Sequence, residues 1–466
     1  MAEPIRCEVA FSGGRSAAGP ATCAQRHMWN LIQRRMPDSA FYHQLHRVVL
    51  PRGSAWPGVC QVLGELVSRH ESLRTVYRVG GDGALRQQVI RSGSFSVEAL
   101  PAADAPDAGD IVAEWEAGAR RGAFDHSVDL PFRAAIVCHD GEPVHGVLFV
   151  SHMAADLTGL RVLEAEITRL LAAQVRGVTA GPPPLLRQPL EQAAFEESAR
   201  GRRLLARADR HWDDQLAAMP STMFPGAATV PEDALPPFYS AVLTSRAVAL
   251  ALPVLAERHR TSGSTVLLAV VALLLARRAG LPRCALRLLT ANRTDPELRG
   301  TVANLHQEVL AVVDTDGKTV ADVMRSARVA ALRAYANGLY DPGRAERLAE
   351  KHERERGERI DLSCCFNDAR SIREDRPPTR RRATPADIRK ATAESRIEHD
   401  GELHEAERFF LVIHDDVPDR VRIILGADPR VLPPEAVRAF LAAVEQLLVS
   451  FAADEVAFME PTTVAG

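Results

Sequence analysis

Lysine is almost absent from this 466-residue chain: Lys318, Lys351 and Lys390 are its only lysines, so chemistry centred on a lysine amine has few candidates. A long apolar run is also missing. The longest, Val266 to Ala276, is closed by Arg277 and Arg278. It falls short of the roughly 18 residues a bilayer requires, so it reads as a buried helix and no membrane partner is expected. No charge of one sign predominates: 57 Lys+Arg stand against 60 Asp+Glu for a formal net charge of -3. That excludes an overall basic field to hold phosphates, and nucleic acid is not expected as a partner. The seven cysteines contain no Cys-x-x-Cys pair, which fits neither a disulfide framework nor a zinc site; reduced thiols and no metal are expected. There is no Gly-x-Ser-x-Gly, and Gly317-Lys318-Thr319 lacks the earlier glycine of a phosphate loop because Val312 stands in that place. Gly80-Gly-Asp-Gly83 joins two expected strands and reads as a turn. The opening segment has no apolar core of signal-peptide length, so residues 1–22 are expected to form a flexible N-terminus in a cytoplasmic protein.

What is present is ordinary globular composition, 46% hydrophobic and 25% charged, enough for two large lobes around separate cores. Strand and helix signals alternate. Helices are expected near Gln25 to Arg35, Pro57 to Arg69 and Asp107 to Arg121, and strands at His43 to Leu50, Phe132 to Cys138 and Val144 to Val150. The spacing predicts an amphipathic helix over Leu157 to Val175. Gly181-Pro-Pro-Pro-Leu-Leu-Arg-Gln-Pro189 cannot continue a helix, which puts an N-terminal lobe at residues 23–185 and a C-terminal lobe at 186–466. Between Asp368 and Gly401 lies a highly charged stretch with Arg380-Arg-Arg382, too poor in apolar residues to fold alone; it reads as a solvated loop, with a lid or carrier-docking arm as the other possibility.

One motif carries chemistry. In Phe149-Val-Ser-His-Met-Ala-Ala-Asp156 a histidine ends an apolar strand and an aspartate opens the following helix. His152 there suits a general base near neutral pH; Asp156 suits a helix cap or an arginine partner. The bland alternative is a satisfied core histidine beside an N-cap.

With Phe124-Asp125 and Leu130-Pro-Phe-Arg133 before it, Ser151-His-Met-Ala-Ala-Asp156 resembles the His-His-x-x-x-Asp-Gly signature of the condensation-domain superfamily of nonribosomal peptide synthetases. Gln25-Arg-His-Met-Trp29, Arg69-His-Glu-Ser-Leu-Arg-Thr75, His211-Trp212 with Gln215-Leu216, and Ala291-Asn-Arg293 with Pro296-Glu-Leu298 and Val302-Ala-Asn304 match further family blocks in order. The resemblance implies an α/β (α+β) fold of two chloramphenicol-acetyltransferase-like lobes forming a V with a central tunnel. It implies amide or ester formation between a carrier-bound acyl or aminoacyl thioester and an amine or hydroxyl acceptor, in antibiotic or other natural-product biosynthesis. Transposed onto this chain, it makes His152 the functional histidine, Asp156 the structural aspartate and Arg293 its salt-bridge partner.

Two positions depart from the signature. Ser151 replaces the first histidine, at a position that is mainly structural in the family, and Leu157 replaces the glycine, where it would reshape the tunnel near His152. On the strand Asp361 to Arg370, alternation places Ser363, Cys365 and Asn367 on one face and Leu362, Cys364 and Phe366 on the other. If the first face lines the tunnel, Cys365 is a candidate to accept an acyl group or to assist His152; the bland reading is a small buried hydrophobe. No carrier site or adenylation domain is recognised, so the substrate is expected on the phosphopantetheine of a separate carrier protein, with no cofactor bound and the chain a monomer. A lincosamide-type condensing enzyme is one candidate identity. A degenerate platform recruiting tailoring enzymes and a coenzyme A-dependent acyltransferase are the rival functions.

Overall fold

The computed structural model describes residues 6–36, 39–102, 107–122, 124–181, 184, 186–226, 238–316, 319–370, 383–403 and 407–453. The chain divides into two compact units, the first made of Met1–Ala206, Ala291–Gln307 and Leu339–Pro342, the second of the remaining three segments. The continuous part of the first unit thus runs past the proline-rich stretch at which the sequence suggested a boundary.

The first unit opens with β1 (Arg6–Ser12), β2 (Ala17–Pro20), α1 (Cys23–Arg34), β3 (His43–Val49), α2 (Trp56–Arg69), β4 (Thr75–Val79), β5 (Leu85–Val89) and β6 (Ser92–Ala102). It continues with α3 (Asp107–Arg121), β7 (Phe132–His139), β8 (Glu142–Ser151), α4 (Leu157–Val175), α5 (Pro189–Glu197) and the start of α6 (Ala199–Ala218). Its larger sheet runs β1-β6-β7-β8-β3 and its smaller one β2-β5-β4. Only β6 and β7 in the larger sheet are parallel. The flexible N-terminus expected over residues 1–22 is corrected here for residues 6–20. β1 buries Val9 and Phe11 at alternate positions and pairs with β6, and β2 pairs with β5, so ladder hydrogen bonds hold both strands.

The second unit contains β9 (Phe238–Ser245), α7 (Arg246–Arg258), α8 (Gly263–Ala279), β10 (Arg283–Thr290), β11 (Gln307–Asp314), α9 (Val320–Ala336), α10 (Pro342–Arg356) and β12 (Cys364–Asp368). It ends with α11 (Pro385–Ala391), β13 (Arg396–Leu403), β14 (Phe409–His414), β15 (Val421–Ala427) and α12 (Pro434–Ala452). Seven strands form one sheet in the order β11-β10-β12-β14-β15-β9-β13. α8 is the apolar run of the sequence, buried on nearly every side. It is capped by the Ser262 hydroxyl and stopped by Gly280 at φ 64°, a left-handed turn that glycine adopts without strain. No single helix among the described residues is long and apolar enough to cross a membrane.

The charged stretch after Asp368 is not a loop throughout. Residues 385–391 form α11, closed by a Thr384–Asp387 capping box and anchored by buried Ile388 and Ala391. Residues 396–403 form β13 at the sheet edge, paired with β9. Edge pairing is made by main-chain groups and tolerates the polar side chains that argued for a loop. Arg380 to Arg382 lie outside the described residues.

Candidate active site

β8 delivers Ser151 into the core with its main chain in register with His43 of β3. The chain then turns: the Ala154 amide donates to the Ser151 carbonyl at 2.9 Å and the His152 amide to the Tyr42 carbonyl at 3.0 Å. Met153, Ala154 and Ala155 are buried, whereas His152 is partly exposed. A rigid apolar turn therefore presents the imidazole.

Asp156 ends the turn and caps α4. Its Oδ1 accepts from the Gly159 amide at 2.8 Å and from Arg293 Nη2 at 2.7 Å, while Oδ2 accepts from the Leu305 amide at 3.0 Å. The ion pair expected between Asp156 and Arg293 is present and buried. Arg293 also donates to the carbonyls of Leu298, Thr301 and Ala303. One guanidinium thus shapes the segment 291–307 and ties it to the histidine turn, which is the use of a planar, multi-donor cation. The preceding Asn292 sits at φ 50° and donates to the Leu305 carbonyl at 3.0 Å. Gly159 allows the close approach, because a Cβ there would lie 3.2 Å from the Ala303 carbonyl oxygen. Both oxygens of Asp156 are thus engaged in hydrogen bonds that hold the turn and the start of α4. Leu157, in the place of the signature glycine, begins α4 and is partly exposed.

Ser151 has no solvent exposure; its Oγ lies 2.7 Å from His126 Nε2 and accepts from the Met153 amide at 3.2 Å. Burial pushes the His126 imidazole down to about 4. Burial, with the neighbouring charge of His126 second, pushes His43 down to about 3. Both are therefore neutral in the fold, and His43 packs edge-on against Phe124 and Phe149. In the unfolded chain they titrate near 6.5. Their contribution to stability is thus present above about pH 6.5 and lost as pH falls toward 4. For His126 alone the loss is on the order of 3 kcal/mol. Urea denaturation at pH 7 and 4.5 is expected to show this fall, and His126→Gln to flatten it; equal slopes in the two proteins would refute the assignment.

His306, two residues beyond Asn304, belongs to no motif singled out in the sequence. Its ring centroid lies 5.2 Å from that of His152, with the planes inclined at 32°. His27 of α1 meets His306 edge-on at 6.2 Å, and Tyr340 Oη lies 3.4 Å from His27 Nδ1. The available signal was that three of these groups lie in or beside the matching blocks Gln25–Trp29, Ser151–Asp156 and Val302–Asn304.

Cys365 and Asn367 lie on β12, in the second unit. Cys365 has no exposure. Burial, opposed by Arg287 and reinforced by Glu407 and Glu308, pushes its thiol well above the usual range. Arg287 Nη1 pairs with Glu308 at 2.5 Å, Nη2 with Glu407, and Nε donates to the Leu362 carbonyl at 2.6 Å. Burial also raises the Glu407 carboxyl, against the opposing charge of Arg287. Glu308, Cys365 and Glu407 hold their ligand-type atoms within 4.8 Å of one another, but the cation serving this cluster is Arg287. Cys364, on the opposite face, is also buried and raised, with Cys284 nearby. These surroundings favour neutral thiols, contrary to the reactive thiolate weighed for Cys365. Cys365→Ala is expected to keep turnover within a few-fold, and the folded wild type to resist alkylation at Cys365; rapid labelling there, read by peptide mass, would contradict this. Asn367 is partly exposed, beside the Asp368–Arg370 ion pair.

The family model described as "Condensation domain" matches residues 17–399. The isonitrile lipopeptide synthase of Mycobacterium tuberculosis is 28% identical over 334 residues, 69% of this chain but 13% of that protein. A probable non-canonical nonribosomal peptide synthetase of Salinispora arenicola is 27% identical over 361 residues, 72% of this chain and 4% of its own length. The chain thus spans a small part of the curated relatives it matches. Among solved structures, SgcC5 of Streptomyces globisporus is similar with a TM-score of 0.68 and 20% identity, over 93% of this chain and 99% of that one. The first condensation domain of the calcium-dependent antibiotic synthetase is similar with a TM-score of 0.69 and 16% identity, over 95% and 98%. These likenesses extend the two-lobed acetyltransferase-like fold to this chain, and with the family match over most of its length the conclusion is that the chain belongs to the condensation-domain family.

Proposed function

We propose that this chain is a condensation enzyme that works in trans, joining an acyl or aminoacyl group carried as a thioester on a separate carrier protein to a small amine, or to a hydroxyl. The observation that carries the reading is the partly exposed His152 at the end of β8, held by the Asp156–Arg293 lock beside it. In the reaction the amine nitrogen attacks the thioester carbonyl. The C–N bond forms, the C–S bond breaks, and the proton released by the amine passes to His152 and from there to the departing thiolate, so that His152 returns neutral. A positioned base of this kind contributes roughly 10² to 10⁴ in rate, and holding two substrates together contributes as much or more. The phosphopantetheine arm enters as part of the substrate.

Purified protein mixed with a loaded carrier encoded beside its gene and a panel of amines is expected to give a carrier-dependent amide by mass spectrometry. Product formed equally well from the free coenzyme A thioester would move the assignment to an acyltransferase that needs no carrier. Leu157 favours one other reading, because it puts a branched side chain where the signature has glycine. Tight binding of a tailoring enzyme, with no transfer from any carrier, would establish that platform role.

A further inference from the structure

Hydrogen bonds hold both peptide planes that flank the α-carbon of His152. The His152 amide donates to the Tyr42 carbonyl at 3.0 Å, and the amide of the next residue, Met153, donates to Ser151 Oγ at 3.2 Å. The Met153 carbonyl in turn accepts from Tyr77 Oη at 3.1 Å. A peptide unit is planar and stiff, so fixing the planes on either side of a residue fixes its φ and ψ, and with them the direction of its Cβ. Tyr77, His126, Ser151 and Met153 are all buried and belong to the same compact unit. We infer that Tyr77 and the His126–Ser151 pair are positioning residues for His152, acting through the main chain of Met153. His126, 25 residues before Ser151, supplies the buried imidazole for which the family signature has a histidine at position 151. The inference rests on the reading of His152 as the residue that accepts the amine proton.

Each arm of this clamp is braced. On one side Ser151 Oγ lies 2.7 Å from His126 Nε2. The His126 ring meets Trp29, His43, Tyr77 and Phe124 at centroid distances of 5.9 to 6.5 Å, and packing on so many sides holds its orientation. On the other side Gln25 Nε2 donates to Tyr77 Oη at 3.1 Å and to Gln87 Oε1 at 3.2 Å, while Gln25 Oε1 accepts from the Thr22 amide at 2.9 Å. With its oxygen taken by Thr22, Gln25 turns its amino group to the phenol, which leaves the phenol proton for the Met153 carbonyl. Burial pushes the Tyr77 phenol up from its ordinary range, so it stays a donor. The arms are also joined to each other, because the Tyr77 amide donates to the His126 carbonyl at 2.7 Å. A hydroxyl thus sits on the Met153 amide with an imidazole behind it, and a phenol sits on the Met153 carbonyl with an amide behind it.

The test compares the full chain with Tyr77→Phe, Ser151→Ala, Ser151→His and the exchange variant Ser151→His/His126→Ser. Acyl transfer is corrected for the folded fraction by circular dichroism, and the His152 ring protons are followed by NMR. Tyr77→Phe removes one oxygen and keeps the ring. It is expected to lower kcat per folded molecule about tenfold with KM for the amine little changed, because a misdirected base is felt in the transition state. Ser151→Ala is expected to do the same, and in both the His152 ring resonances shift or broaden. Ser151→His alone forces a second ring into filled space and loses more; the exchange moves the imidazole back and is expected to recover kcat and the ring resonances. A role in stability alone would leave kcat per folded molecule and the His152 resonances at wild-type values in Tyr77→Phe and Ser151→Ala. That result overturns the inference, as does an exchange variant whose His152 resonances are no closer to wild type than those of Ser151→His. The two claims fail separately. His152→Ala fully active, with displaced ring resonances in Tyr77→Phe, keeps the clamp and removes the acyl-transfer reading. His152→Ala inactive, with Tyr77→Phe and Ser151→Ala like wild type in both measures, removes the clamp and leaves that reading.

Discussion

Replacing His152 by alanine is expected to cut carrier-dependent product formation by roughly 10² to 10⁴-fold while leaving the melting curve nearly unchanged. The reasoning is geometric. The side chain is partly exposed at the end of a buried turn, and that turn is fixed by hydrogen bonds of the main chain and by Asp156, none of which uses the imidazole. Removing the ring therefore deletes the proposed proton acceptor and leaves those hydrogen bonds in place. Comparison of kcat with KM sharpens the result, because a group that moves a proton in the transition state lowers kcat more than it raises KM. His152→Ala with wild-type turnover would refute the role given to this histidine. A variant with equal loss of stability and activity would make the ring a packing element.

The second large effect is on stability. Asp156→Ala is expected to cost about 3–5 kcal/mol, because it strands a buried guanidinium and breaks the pair at 2.7 Å. The amides of Gly159 and Leu305 lose their acceptor at the same time, and an unsatisfied buried donor carries its own penalty. Arg293→Met is expected to be nearly as damaging for the opposite reason, since it leaves a buried carboxylate without its cation. In the double variant neither charge is stranded, so it should be less destabilised than the sum of the two singles, a coupling that a urea double-mutant cycle measures directly. Strict additivity would contradict the pair. Arg293→Lys is not a rescue here, because one ammonium cannot serve the Asp156 carboxylate and the carbonyls of Leu298, Thr301 and Ala303 with the geometry of a planar fork.

Much of this was legible before any coordinates, where periodicity was strong. The helices at Asp107–Arg121 and Leu157–Val175 fall where their spacing put them. β6 was missed, although Phe95, Val97 and Ala99 alternate inward. Its serines and terminal Pro101-Ala102 resembled a loop, and only the partner strands β1 and β7 give such a segment its shape. β1, β2 and β13 share that cause: pairing across long sequence separation leaves little local trace. At the site, Ser151, His152, Asp156, Leu157 and Arg293 were all readable from the motif and its neighbours. The contact of His152 with His306 was not, because nothing in a linear pattern says that two histidines far apart in sequence will meet, here with their rings inclined at 32°. The environment of Cys365 was equally hidden, since its neutral thiol follows from burial, with Glu407 and Glu308 adding to it against Arg287, each on a different segment.

The ties that finish the histidine turn span 137 residues from Arg293 to Asp156 and 149 from Leu305 to Asp156. During synthesis, therefore, the first sheet and α4 emerge long before the residues that lock them, and local folding of that half begins with the Asp156 carboxylate unpartnered. Contacts this distant in sequence form late because loop closure must come first. The nascent chain therefore completes the turn around His152 only after β10 has left the ribosome, which ties the finishing of that turn to synthesis of part of the second unit.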